Sequence, residues 1–213
     1  EAAAEAATLR AELARANAAL AAARPAPVAS AADSFRIPSG ADIDAEFTRI
    51  RATTRGRAVE INIDPGVFLT NGIMLGTTYE APWKVIGSGM DQTIIRSRDV
   101  GKAGLRAPTN CVMGTRDPAW IIALEISDLT LDAQWEAQSD RQNPGVKYAC
   151  LFAQVTTGIV RRVKCVHWGS NGLNLDLSEC FPLRLDTYSD EGTHILIEDC
   201  IVEEQHRYQA GYA

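Results

Sequence analysis

No stretch of this chain is apolar for the roughly 18 residues that a membrane-spanning helix needs. A basic surplus is missing too. The formal charge is −6, whereas a phosphate-backbone partner calls for a cationic surface, so nucleic acid is not an expected ligand. A secretory leader is not read either: the Ala-rich start is interrupted by Glu1, Glu5, Arg10, Glu12 and Arg15, which leave no apolar central region. The five cysteines, Cys111, Cys150, Cys165, Cys180 and Cys200, are odd in number and contain no Cys-x-x-Cys. They are expected to be reduced, buried small hydrophobes, with no metal site and no cofactor.

Residues 1–24 lack proline and glycine and consist almost wholly of Ala, Leu, Glu, Arg and Asn, which predicts one helix ended by Pro25 and Pro27. With Ala6, Leu13 and Leu20 at heptad position a and Ala2, Leu9, Ala16 and Ala23 at d, every seam position is apolar. Glu5 then falls at g and Arg10 at the next e. The segment is read either as a solitary spacer or as a coiled-coil stem that self-associates through Ala6, Leu9, Leu13, Ala16 and Leu20. So much Ala buries little area, so the stem is expected to need help from the rest of the molecule. Residues 25–38, with Pro25, Pro27 and Pro38, read as an extended linker.

The third segment, 39–213, opens with a short helix for which Ser39 is the expected cap and which ends at Gly56. Ile43, Phe47 and Ile50 share one face of it, and that face must cover something. From residue 58 the period changes to two. Short strands are predicted over 58–63, 67–70, 73–75, 84–86 and 93–96, separated by Asp64-Pro65-Gly66, Asn71-Gly72 and Gly87-Ser88-Gly89.

Farther on, one phrase recurs. Ile126-Ser127-Asp128-Leu129-Thr130-Leu131 is answered 34 residues later by Val160-Arg161-Arg162-Val163-Lys164-Cys165, and 37 residues after that by Ile197-Glu198-Asp199-Cys200-Ile201-Val202. Each copy places two polar residues at a bend between apolar ones, as expected where a strand turns a corner. Further strands are expected over 146–152, 172–177 and 182–185. Stacking would align Ile126, Val160 and Ile197 in one interior column, and Leu129, Val163 and Cys200 in the next.

The stretch from the Phe47 helix through Ala58–Phe68, Gly72–Leu75, Lys84–Gly89 and Thr93–Ile95 resembles the opening coils of the pectate-lyase-like superfamily. Ile126–Asp132 and Ile195–Cys200 resemble its inner coils. The resemblance covers roughly residues 40–204. It implies an all-β, right-handed parallel β-helix with an N-terminal capping helix, here preceded by the coiled-coil stem. That superfamily holds pectate lyases, polygalacturonases and epimerases as well as trimeric phage tailspikes and fibres, and the stem is more similar to the phage branch. The implied function is a structural or attachment protein of a phage particle, whether tail fibre, tailspike or head fibre. It would be a homotrimer in the virion, touching other virion proteins and presenting its β-helix to host surface polysaccharide. The alternative is a secreted, extracellular polysaccharide lyase or glycoside hydrolase.

Enzymes of that kind use paired carboxylates, or Arg with bound Ca²⁺. Asp176, Asp186, Asp190, Glu191, Glu203 and Glu204 stand in none of the expected contexts and read as a solvated outer face, so no catalytic residue is assigned. Asp132 reads as a turn cap. Sugar binding favours aromatic faces with polar neighbours, and Trp135, Trp168, Tyr188 and Tyr208 lie in or beside loops. His167–Asn171 together with Asp186–Tyr188 is the candidate carbohydrate patch, with Trp168, Asn171, Asp186 and Tyr188 as its contacts. At the far end, 205–213 holds too few apolar residues to cover a coil, which leads to the expectation that more chain follows.

Overall fold

A computed structural model describes residues 32–54, 57–76, 81–99, 111–115, 121–139, 147–170, 183–186, 194–203 and 206–207. The chain divides between Ala31 and Ala32, and every described residue belongs to the second part. The stem residues Ala6, Leu9, Leu13, Ala16 and Leu20 therefore lie outside the described residues, as does Cys180.

The first strand begins inside the stretch expected to be linker. Strand β1 (Asp33–Ile37) pairs in parallel with β2 (Val59–Ile63), Phe35 opposite Ile61 and Ile37 opposite Ile63. The reason is local alternation: Ile37 is buried and Phe35 half-buried, while Ser34 and Arg36 are exposed. Arg36 then grips Asp64 with two bonds, Nε to Oδ1 at 2.8 Å and Nη2 to Oδ2 at 2.9 Å. That guanidinium holds the Asp64 carboxyl below its usual range.

Helix α1 (Ile43–Thr54) follows, and its cap is Asp42 rather than Ser39. The Asp42 Oδ1 accepts the Ala45 N–H at 3.1 Å, while the Ser39 hydroxyl donates to the Pro65 carbonyl. Ile43, Phe47, Ile50 and Thr54 form the buried face. It packs against β1, β3 (Gly66–Thr70) and β4 (Ile73–Leu75). Asp44 adds a polar tie, accepting from the Thr70 hydroxyl and, at 2.8 Å, from the Asn71 N–H.

The remaining main strands are β5 (Trp83–Ile86), β6 (Thr93–Ser97), β7 (Cys111–Thr115), β8 (Ile121–Asp132) and β9 (Lys147–Val166). Shorter ones are β10 (Gly169–Ser170), β11 (Leu183–Asp186), β12 (His194–Glu198), β13 (Ile201–Val202) and β14 (His206–Arg207). Apart from β9 with β10, every pairing between them is parallel. The molecule is thus strand-rich, with parallel sheets and little helix.

Three parallel ladders emerge. One runs β1–β2–β5, then the front of β8, the middle of β9 and β12. A second runs β3–β6, the back of β8, the back of β9 and β13. The third joins β4, β7, the front of β9 and β11. The chain visits them in a fixed order, so β2 pairs with β5, β3 with β6 and β4 with β7, each across two intervening strands. Strands β8 and β9 each run unbroken through a corner, so the segments expected at 146–152 and 160–165 are parts of one 20-residue strand.

Side chains inside the ladders form columns. Ile61, Val85, Ile126 and Val160 lie in register and are all fully buried. Leu129 and Val163 sit opposite each other, also buried. The polar bends of the recurring phrase are left-handed: Asp128, Arg162 and Asp199 have φ of 60°, 48° and 52°. Gly87 meets the first of these bends, where a Cβ would lie 2.2 Å from the Asp128 carbonyl oxygen, so no side chain fits. Asp128 and Arg162 close that corner with a paired contact, Arg162 Nε to Oδ1 at 2.6 Å and Nη2 to Oδ2 at 2.8 Å.

Candidate functional site

The outer face of the second ladder carries a cluster that the register assembles. Residues two apart on a strand share a face, and parallel neighbours stack at about 4.8 Å. Ile94, Thr130 and Lys164 therefore form one outward column, and Arg96, Asp132 and Val166 the next. These residues, with Asp91, His167 and Glu203, line an open groove of about 200 Å³.

Asp132 is its anchor. The side chain is only 2% exposed, although Arg96 at 38% and His167 at 35% remain half in water. Arg96 Nε donates to Oδ2 at 2.8 Å, and His167 Nδ1 lies 2.8 Å from Oδ1. Gln134 donates its backbone N–H to Oδ1 at 3.1 Å and its side-chain Nε2 to both oxygens, at 3.0 and 2.9 Å. Burial alone would raise the carboxyl pKa. The bonds from Gln134, His167 and Arg96 outweigh it and hold the group below its ordinary value.

An ionised carboxylate only accepts, so the contact with His167 places a proton on Nδ1 and fixes the ring's orientation. The backbone helps as well. His167 has φ of 49° and Gln134 φ of 52°, both left-handed, and the Trp135 N–H donates to the His167 carbonyl at 2.8 Å. Such conformations persist only where the surroundings enforce them. Beside this network, Lys164 Nζ lies 2.9 Å from Glu203 Oε2, and the Thr130 hydroxyl donates to the Met90 carbonyl. Chemically the groove offers fixed donors and acceptors side by side, one imidazole, and an apolar floor from Ile94 and Val166.

The expected carbohydrate contacts fare differently. Trp168, expected on an exposed patch, is 6% exposed and belongs to the core, so its ring face cannot serve as a sugar platform. The left-handed turn at His167 sends His167 outward and Trp168 inward. The indole N–H of Trp168 has no hydrogen-bond partner among the described residues. Trp135 is buried too, and Gly169 lies flush against it: a Cβ there would fall 2.4 Å from the Trp135 ring. Asp186 ends β11 opposite Gln154, its backbone alone being described. Asn171 and Tyr188 lie outside the described residues.

Asp132 does act as a turn cap through the Gln134 N–H, as expected, and is also the hub of the cluster. Arg96 was not singled out from sequence. The signal that could have found it is spacing, since Arg96 to Asp132 is 36 residues and Asp132 to His167 is 35, close to the interval of the recurring phrase.

Cys111, Cys150 and Cys165 are buried and Cys200 is half-buried. Burial pushes the Cys150 thiol well up, and its neighbour Cys165 adds to the effect. Among the described residues no group of three or more His, Cys, Asp or Glu is placed to hold a metal ion, and no helix is long and apolar enough to cross a membrane. No protein-family model, curated protein or solved structure matches the chain.

Proposed function

We propose that the three ladders are the faces of a right-handed parallel β-helix whose first turn is capped by α1, and that the protein is a trimeric attachment component of a phage particle. On this reading the protein resides in the virion and presents its β-helix to host surface polysaccharide. The observation that carries the architecture is the order of visits. Each turn of chain passes through the same ladders and adds one residue to each interior column, from Ile61 to Val160. Parallel crossover connections are right-handed in about 98% of cases, which supplies the hand. Repetition of this kind gives long outer faces, suited to binding an extended polymer. The apolar seam at Ala6, Leu9, Leu13, Ala16 and Leu20 supports three parallel copies.

A second reading is favoured by one observation: the imidazole of His167 is oriented by a buried carboxylate beside Arg96, an arrangement also suited to acid–base work on a polysaccharide. Light scattering and an activity assay separate the two. The attachment reading expects three copies of the intact chain, a shift toward monomer in Leu13→Asp, and no new reducing ends or unsaturated products from acidic or neutral polysaccharides. A monomer that releases such products would replace it with a free lyase or hydrolase.

A further inference from the structure

We propose that the groove anchored by Asp132 binds one ring of an uncharged, hydroxyl-rich saccharide and discriminates against acidic ones. This rests on the attachment reading and names its ligand class.

The decisive feature is charge balance. The groove carries two permanent cations, Arg96 and Lys164, against three carboxylates, Asp91, Asp132 and Glu203. The cations are already engaged, Arg96 by Asp132 and Lys164 by Glu203. His167 cannot make the lining cationic, because even protonated it only balances the count. A uronate or sulfate that reached Arg96 would face Asp91 and Glu203, both exposed, beside the carboxylate that already holds the guanidinium. Like charges at such range cost free energy rather than supply it.

An uncharged sugar meets no such obstacle, since each hydroxyl both donates and accepts. Arg96 uses only its Nε, and its two Nη groups have no partner among the described residues. They stand held in place by the Nε bond to Asp132, ready to donate to a vicinal pair of hydroxyl oxygens. Asp91 and Glu203 supply acceptors on the flanks. Ile94 and Val166 give the apolar C–H face of a pyranose a surface to lie on. A preset donor array of this kind loses little entropy on binding. The groove's volume, about 200 Å³, suits a single ring.

The test uses the full chain with labelled imidazoles, which report on His167 against His194 and His206, the remaining histidines. The probes are glucose, galactose, mannose, rhamnose and N-acetylglucosamine at high millimolar concentration, with glucuronate and galacturonate as acidic counterparts. The expected result is that at least one neutral sugar shifts the His167 ring signals, while the uronates bind at least tenfold more weakly. Arg96→Ala should weaken the neutral sugar at least tenfold. Should Arg96→Ala fail to fold, Glu203→Gln on an exposed side chain takes its place: removing that charge should narrow the gap between neutral sugar and uronate at least threefold. Silence of His167 toward every neutral sugar, tighter binding of a uronate, or indifference to both substitutions would overturn the proposal. A trimer with a silent His167 removes this inference alone, whereas a monomer that releases polysaccharide products removes the attachment reading whatever the titration shows.

Discussion

Val160 and Ile197 are register partners on neighbouring parallel strands, and their fates differ completely. Val160 is fully buried, flanked by Ile126 on one side and Ile197 on the other. Ile197 is 50% exposed, and Ile195, Leu196, Ile201 and Val202 beside it are also exposed. Among the described residues β12 and β13 pair with β9 alone. Burial in these ladders therefore depends on a further paired strand, not on the residue type alone. The same contrast holds for charge: Asp132, paired between Arg96 and Val166, is almost fully buried, whereas Glu203, just past the end of β13, is exposed.

The sharpest way to probe that contrast is to remove the buried carboxylate. Asp132→Ala leaves Arg96, His167 and Gln134 without their common acceptor. The expected loss is about 3 kcal/mol, toward the low end for a broken buried pair because Arg96 and His167 keep access to water. Denaturant unfolding checks it, and a loss under about 1 kcal/mol would mean that Asp132 is not the hub. The pH dependence has a definite sign. The folded Asp132 pKa lies below its ordinary value, so its stabilisation is complete above about pH 4 and fades as pH falls through the lower, folded value. Asp132→Asn should flatten the acid limb of stability against pH.

Next in size is Gly169→Ala, which tests how tightly the inner turns fit. The new methyl would press on the buried Trp135 ring, for an expected cost of about 1–3 kcal/mol. Tryptophan fluorescence during unfolding reads both the stability and the disturbed indole. An unchanged midpoint would show that Trp135 has room to move. Smallest is Glu203→Ala at the outer turn. Its pair with Lys164 is half in water, so removing it should change stability by no more than about 1 kcal/mol, and still less at high salt. A larger loss would show that this pair is shielded more fully than its exposure indicates.

Much of this was legible from alternation alone. The strands at 58–63, 67–70, 73–75, 84–86 and 93–96 agree with β2 to β6 within a residue or two, because inward and outward positions differ so strongly in polarity. The corners were legible because Asp128, Arg162 and Asp199 recur at a near-constant interval. What escaped lies where a local rule meets a tertiary one. Asp33–Ile37 stands between Pro27 and Pro38 and looked like linker, yet it gains its ladder partner only from β2. Ser39 suits a helix cap, but the Pro65 carbonyl claims its hydroxyl and Asp42 takes over. Trp168 was misplaced because a single left-handed residue at 167 reverses the phase of alternation, and nothing in the residue type announces that. The Arg96, Asp132 and His167 cluster leaves only its spacing of 36 and 35 residues along the chain and is plain once the strands are paired.

The claim that a further paired strand makes the core is tested most directly by truncating two isoleucines in one column, Ile126→Ala and Ile197→Ala, and comparing their unfolding midpoints. Ile126, covered on both sides, should cost about 2–5 kcal/mol, the range for buried aliphatic truncations. Ile197, half exposed, should stay within about 0.5 kcal/mol of the parent. Equal losses at the two positions would contradict the account.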